Sequence, residues 1–212
     1  MKILNAIGAL VLAVMLAGCQ TVQVTPPTPI HVSGYYNHPG SGMVFPERVG
    51  EFQRVQITQF APSEKDVGVG YNSNGVRVPI SATVYVYPAP RLISVGSPSS
   101  VVEDARAQLF HGHIEVLKRE VMRAHPDARL LSEENFTLSQ NGQKYMGRKV
   151  TFELAYTFGM TSQDSISQLY LFQTGAWMVK YRITFPKATT AEAQGAIGSL
   201  LSKIELPKKK DF

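Results

Sequence analysis

The chain has 212 residues, a formal net charge of +5, 44% hydrophobic residues and a single cysteine. One cysteine excludes a disulfide within the chain and a zinc site built from several thiolates. The modest excess of positive charge is scattered along the chain, which argues against a nucleic-acid-binding protein.

The first residues are typical of an export signal. Lys2 precedes an apolar run over residues 3–17, which only Asn5 and Gly8 interrupt, and small residues close the run. The run is shorter than the ~20 apolar residues of a membrane-spanning helix. We therefore expect residues 1–18 to be a signal peptide that is removed on export.

The only cysteine directly follows this segment. The stretch Leu16-Ala17-Gly18-Cys19 resembles the lipobox of bacterial lipoproteins. The resemblance implies cleavage between Gly18 and Cys19, with a diacylglycerol and an amide-linked acyl chain such as palmitate on Cys19. In Gram-negative lipoproteins an Asp after this cysteine favours the inner membrane. For such a source, Gln20 therefore implies the periplasmic face of the outer membrane. The alternative is an ordinary secretory signal with an accidental cysteine.

Residues 19–44 are predicted to form a tether, because four prolines and three glycines between residues 26 and 42 oppose helix and sheet. Tyr35 and Tyr36 leave open that part of this segment docks on the domain. Residues 45–207 are expected to fold as a single domain. Residues 208–212 form a basic tail, either a solvated end or a contact for anionic lipid.

Strands dominate the first half of the expected domain. A helix follows them, with an apolar stripe at steps of three and four residues, and Pro126 ends it. Ser100 and Glu103 have the spacing of a capping box at the start of this helix. The strands predicted here, mainly from alternation of apolar and polar residues, are residues 52–60, 67–71 and 81–88.

The second half repeats this order. A second apolar stripe predicts a final helix, which starts at a capping box from Thr189 to Glu192 and ends before Pro207. Runs of strands with two interspersed helices indicate an α+β fold with a mostly antiparallel sheet of six to seven strands. The later strands, of which the last two form a hairpin near residue 174, are residues 148–158, 165–173 and 176–186.

Two resemblances accompany this layout. The order of elements resembles the PsbP-like fold, the α/β/α sandwich of a photosystem accessory protein and its relatives. Residues 50–60, 67–73 and 82–90 read GEFQRVQITQF, VGVGYNS and ATVYVYPAP, and they resemble a family of uncharacterised bacterial envelope proteins. Neither resemblance implies a catalytic residue or a cofactor for this chain.

Known catalytic and metal-binding motifs do not occur in the sequence. It contains neither a Gly-x-Ser-x-Gly elbow nor a His-Glu-x-x-His motif. His111 and His113 are two residues apart on the predicted helix, so they point about 200° from one another and do not bind one ion. Glu133 and Glu134 adjoin a loop and a turn after the helix, and paired surface carboxylates of this kind are expected to face solvent. We therefore predict no catalytic residue, no metal and no cofactor.

Four aromatic residues are candidates for a contact surface. Tyr85 and Tyr87 alternate with the valines of their strand, while Tyr170 and Phe172 share a face of the later hairpin. If the helices cover only part of the sheet, these rings line an exposed groove. The alternative places them in the core beneath a helix.

These observations predict a lipid-anchored, non-enzymatic binding or accessory module, whose partner is an envelope protein or a cell-wall component. The alternative is an enzyme that acts on envelope material through dispersed acid–base residues such as Asp104, Glu133 and the histidines. A deep polar cleft with perturbed titratable groups would favour the enzyme, whereas an exposed surface or groove would favour the binding module.

Overall fold

The computed structural model describes residues 26–73, 78–92, 96 and 98–208. The expected signal peptide, Cys19 and Gln20 lie outside these residues, as does the basic tail beyond Lys208. The elements of the described chain, which include one 3-10 turn at Lys187–Thr189, are β1 (Thr28–Pro29), β2 (Tyr36–Asn37), β3 (Val44–Phe45), β4 (Arg48–Val49), β5 (Phe52–Gln59), β6 (Val67–Ser73), β7 (Ser81–Pro88), α1 (Ser99–Ala124), β8 (Arg129–Gln140), β9 (Gln143–Phe158), β10 (Thr161–Thr174), β11 (Trp177–Pro186) and α2 (Thr190–Lys203).

Nine strands of the described chain form one antiparallel sheet. Its order is β1-β5-β6-β7-β11-β10-β9-β8, and β4 also pairs with β5, while β2 and β3 form a separate hairpin. The prediction of an α+β fold with an antiparallel sheet and two helices is confirmed, but the count of six to seven strands is too low. Alternation does not reveal β1 and β4, which are two residues long, or β8, which is exposed along most of its length.

The two helices pack on opposite faces of the sheet. Leu169 and Leu171 of β10 belong to the core cluster that contains the buried residues of α1. Tyr170 and Phe172 of the same strand belong to the cluster that contains the buried residues of α2. Because consecutive residues of a strand point to opposite faces, the sheet is the middle layer of three.

Most of the expected tether is part of the domain. Residues 28–44 contribute β1, β2 and the start of β3. Tyr36 is 5% exposed and Phe45 is fully buried, with their rings stacked 6.1 Å apart. The Arg54 guanidinium donates to the carbonyl oxygens of Val32 and Phe45 at 2.8 and 2.6 Å. These contacts give the segment hydrogen bonds and buried surface that its short strands alone do not supply, so it packs on the domain in spite of its prolines.

Helix α1 is anchored only by its second half. Its buried residues are Ile114, Leu117 and Val121, and the side chains before Phe110 are exposed or only partly buried. The capping boxes predicted for both helices are wrong, because neither helix has a side-chain cap hydrogen bond and Thr189 donates to the carbonyl of Pro186 instead. Among the described residues, no helix is long and apolar enough to cross a membrane.

Candidate functional site

A cleft of about 960 Å³ opens at one end of the sheet, beside the first half of α1. At this end β7 finishes at Pro88, and β11 starts at Trp177, which pairs with Pro88. The end of β10 and the start of β9 complete the wall, because Phe172 pairs with Gly147. The unburied half of α1 overhangs these strand ends, so the cleft exists because the helix is longer than the part of it that packs on the sheet.

The cleft lining is basic. Its basic residues are Lys65, Arg91, Arg106, His111 and Arg148, and the described lining residues include no carboxylate, hydroxyl or thiol side chain. They come from the β5–β6 connection, the segment after β7, helix α1 and strand β9. Within the described chain, the ion pairs use other lysines and another arginine. Among the described residues, Lys65 and the three arginines of the lining therefore have no carboxylate as an ion-pair partner.

The same lining contains apolar side chains. Met146 is 76% exposed, and Phe110 and Trp177 are half-buried. Met146 and Arg148 are two residues apart on β9, so both side chains project from the same face. This places an apolar group beside a guanidinium, which suits a ligand with both an anionic and an apolar part.

Gly147, between Met146 and Arg148, lets β9 approach β10 closely. A Cβ at this position would lie 2.6 Å from Cδ1 of Phe172 and would also overlap the carbonyl oxygen of Leu171. Real Cβ atoms do not approach other atoms so closely, so the wall of the cleft requires glycine here.

A second group of titratable side chains lies beneath α1, next to the cleft. The Tyr87 hydroxyl and Nε2 of His113 are 2.6 Å apart, and this hydrogen bond joins β7 to α1. Nζ of Lys180, on β11, lies 4.1 Å from the centre of the Tyr85 ring. These contacts make a polar layer between the helix and the sheet.

The pKa values of this group are perturbed. Burial lowers the pKa of His113, and the positive charge of Lys180 lowers it further. Burial also lowers the pKa of Lys180, against the raising effect of Glu120. Burial raises the pKa of Asp66, which Lys180 partly offsets. Perturbed groups in one place are a mark of catalytic sites, although structural networks produce them too.

The free volume beside these side chains distinguishes a catalytic site from a structural network. The large cleft is not lined by Tyr87, His113 or Lys180. A small cavity that His113 does line has a volume of about 10 Å³, which is room for one water at most. The group therefore holds α1 on β7 and β11, and a substrate has no room beside it.

His111 is exposed and lies near two acids. Potential ligand atoms of His111, Glu115 and Glu133 lie within 4.8 Å of one another. However, Nζ of Lys118 lies 2.7 Å from the Glu115 carboxylate and 2.9 Å from that of Glu133. The ammonium group supplies the positive charge that a metal ion would bring, so these side chains form an ion-paired cluster.

Glu133 and Glu134, which were expected to adjoin a loop after α1, both belong to β8. Each is paired with a lysine: Glu133 with Lys118 of α1, and Glu134 with Lys149 of β9 at 3.0 Å. Asp104, another acid considered for catalysis, is exposed on the first half of α1. The structure does not bring these acids together in a cleft.

The four candidate aromatic residues do not form one surface. Tyr85 and Tyr87 are half-buried on the α1 face of the sheet, whereas Tyr170 is 2% exposed and Phe172 is fully buried on the other face. The physical reason is strand parity, since the odd residues of β7 and the even residues of β10 point in opposite directions. Tyr170 and Phe172 therefore lie in the core beneath α2, which was the alternative to an exposed groove.

Sequence reasoning did not find the basic cleft. Arg91, Arg106 and Arg148 belong to three separated segments that no sequence period connects. One local signal was Gly147, which directly precedes the strand predicted over residues 148–158 and lies inside β9, because a glycine in a strand often marks a close approach of backbones.

Comparison of the chain with known protein-family models and with curated proteins finds no match in either set.

Proposed function

We propose that this protein is a lipid-anchored, non-enzymatic binding module of the bacterial envelope, and that it binds an anionic ligand in the basic cleft. The observation that carries the proposal is the lining itself, which combines five basic residues with apolar side chains and no carboxylate. The lipobox supports attachment through Cys19, and Gln20 supports the periplasmic face of the outer membrane. The helix–sheet–helix layers agree with the PsbP-like sandwich, which we include in the proposal.

The chemistry of the lining supports binding over catalysis. General acid–base catalysis needs a side chain that gains or loses a proton near neutral pH, and nucleophilic catalysis needs a hydroxyl, thiol, amine or carboxylate beside a base. The described lining offers arginines, Lys65, the exposed His111 and amides such as Gln173, but it has no hydroxyl, thiol or carboxylate. An arginine stays charged and presents its N–H groups as a fork, which matches a phosphate or a carboxylate.

The alternative function, an acid–base enzyme, rests on Tyr87, His113 and Lys180. It requires α1 to move away, because these side chains face a packed helix. If the protein is such an enzyme, replacement of His113 by Gln abolishes turnover of an envelope extract. If it is a binding module, we expect no turnover by either the original chain or the variant.

Binding is tested with hexyl phosphate, which joins the two parts of the expected ligand in one soluble molecule. A chain that begins at Gln20 retains all the described residues and is titrated while its amide resonances are followed by NMR. We expect shifts around the cleft, weaker binding of inorganic phosphate, and none of hexanol at the same concentration.

Arg106→Ala combined with Arg148→Ala is expected to weaken binding of hexyl phosphate at least ~10-fold, because each charge-assisted hydrogen bond contributes about 1.5–3 kcal/mol. The matched control is Arg119→Ala combined with Arg123→Ala, since both arginines are exposed on α1 outside the cleft lining. Equal weakening by the two pairs, or shifts centred elsewhere on the domain, would rule out the cleft as the site.

A further inference from the structure

We propose that the cleft end of the sheet faces the membrane and that the cleft binds the headgroup of an anionic phospholipid. This inference rests on the proposed function and names the ligand of the same site. Its support comes from where the chain enters and leaves the domain, from the exposed apolar side chains and from the distribution of charge.

The chain enters the domain at the cleft end. Thr28 of β1 pairs with Gln59, the last residue of β5. Gln59 pairs with Val67 at the start of β6, so β5, β6, β7 and β11 present their cleft ends side by side. At ~4.8 Å between neighbouring strands, β1 lies about 19 Å from β11 across the sheet. The segment that leads back to Cys19 therefore starts beside the cleft.

The length of that segment limits how the domain stands on a bilayer. Cys19 precedes Pro26 by seven residues, which span at most about 25 Å when fully extended. Strand β10 has 14 residues, so the sheet is about 45 Å long. An upright domain with the opposite end down would hold Pro26 farther from the bilayer than a lipid on Cys19 allows. The upright orientation that remains points the cleft at the lipid.

Exposed apolar side chains lie at both ends of the sheet, and at the cleft end they adjoin the basic residues of the lining. Met146 is 76% exposed, and Trp177 is half-buried at the first position of β11. Tryptophan favours the headgroup level of a bilayer, where its ring meets both apolar and polar surroundings. With Arg148 next to Met146, the cleft offers cations for a phosphate and apolar contacts for the start of an acyl chain.

The basic residues at the two ends of the sheet differ in their ion pairing. At the opposite end, Arg129 and Lys187 each lie 2.7 Å from the carboxylate of Glu153, which balances part of their charge. At the cleft end, the arginines of the lining have no carboxylate partner among the described residues. Basic residues near a membrane surface are attracted by anionic lipid.

The described chain also leaves the domain at the cleft end. The N–H of Leu206 donates to Oε1 of Gln140 at 2.9 Å, and Gln140 closes the β8–β9 hairpin. Lys208 follows and is exposed. The described chain therefore both enters and leaves the domain on the side that we assign to the membrane.

The test uses Trp177, which is the only tryptophan in the chain. The lipidated protein is isolated from membranes and reconstituted into phosphatidylcholine vesicles that contain phosphatidylglycerol. Bromine on the acyl chains quenches tryptophan fluorescence at short range. We expect brominated phosphatidylglycerol to quench Trp177 at least ~2-fold more than brominated phosphatidylcholine at the same content, and rising salt to reduce the difference.

Two matched pairs of variants assign this effect to the cleft end. Arg106→Glu with Arg148→Glu is expected to remove the preference for phosphatidylglycerol, whereas Arg119→Glu with Arg123→Glu makes the same charge change on α1 and retains it. Met146→Asp is expected to reduce quenching, whereas Met160→Asp changes a fully exposed methionine at the opposite end and has no effect.

Equal quenching by both lipids, or equal losses in both arginine pairs, would overturn the membrane inference. Complete competition by glycerol phosphate without quenching of Trp177 would also overturn it, since the ligand would then be a soluble anion. In either case, binding of hexyl phosphate by the unlipidated chain would leave the proposed function standing. Failure of that binding as well would refute both.

Discussion

Gln140 joins the end of β8 to the end of α2, and its replacement gives a clear test of the fold. Its Nε2 donates to the carbonyl oxygens of Leu201 and Ile204 at 2.6 and 2.9 Å, and its Oε1 accepts the N–H of Leu206 at 2.9 Å. The residue is 6% exposed. We predict that Gln140→Met destabilises the protein, because methionine preserves the side-chain length but cannot replace these three hydrogen bonds.

The magnitude follows from the groups that lose a partner. Leu201 lies in the last turn of α2, where carbonyl groups have no partner within the helix. The substitution leaves this carbonyl and the N–H of Leu206 buried and unpaired, while the carbonyl of Ile204 keeps the Tyr181 hydroxyl at 3.2 Å. Each unpaired buried group costs about 1–3 kcal/mol. With part of this offset by the apolar methionine side chain, we expect a loss of about 2–4 kcal/mol.

The assay is urea unfolding followed by circular dichroism, with the chain that begins at Gln20. The same loss lowers Tm by roughly 5–15 °C for a chain of this length. The control is Gln194→Met on the exposed side of α2, for which we expect a change within ~0.5 kcal/mol. A Gln140→Met protein as stable as the control would refute the inference that these hydrogen bonds hold α2 against the sheet.

Four further predictions concern separate parts of the chain. Gly147→Ala is expected to lower the free energy of unfolding by at least ~1–3 kcal/mol, because the added Cβ overlaps β10. Gly112→Ala, with open space around the residue in α1, is expected to raise it by up to ~1 kcal/mol. Burial lowers the pKa of His38 from 6.5 to about 4, so the folded state favours neutral His38. Above pH 6.5, His38 is neutral in both the folded and the unfolded state, so its burial costs no stability there. Below pH 6.5 the unfolded state gains the proton first, and acidification to pH 4 is expected to remove about 3 kcal/mol of stability, measured by urea unfolding at each pH. Cys19→Ala is expected to abolish palmitate labelling in cells and stable retention in the outer-membrane fraction.

Each of these predictions has an outcome that contradicts it. Equal stability of the Gly147→Ala and Gly112→Ala proteins would mean that β9 does not need a glycine beside the cleft. His38→Gln should flatten the fall in stability between pH 6.5 and 4, and an unchanged profile would assign that fall to other groups. Palmitate labelling of Cys19→Ala at the normal level would show that the lipobox interpretation is wrong.

Local periodicity predicted the elements that have one buried face. Strands β5, β7 and β11 and both helices were found from alternation or from steps of three and four residues, because burial of one face imposes that period on the sequence. Strand β8 was missed because it lies at the edge of the sheet and exposes most of its residues, so neither face imposes an apolar period. The short strands β1 and β4 exist only as partners of β5, and no period is visible in two residues.

The sequence by itself determined the α+β class, the order of the helices and of the strands with a buried face, and the expectation of a lipid anchor, since each depends on residues that are close together in the chain. Only the tertiary structure decided which side chains meet. It separated Tyr85 from Tyr170 by strand parity and paired Glu133 with Lys118. It also brought Arg91, Arg106 and Arg148 to one cleft at the end where the chain enters the domain. Such juxtapositions depend on strand order and on helix packing between distant segments, which no local pattern of residues encodes.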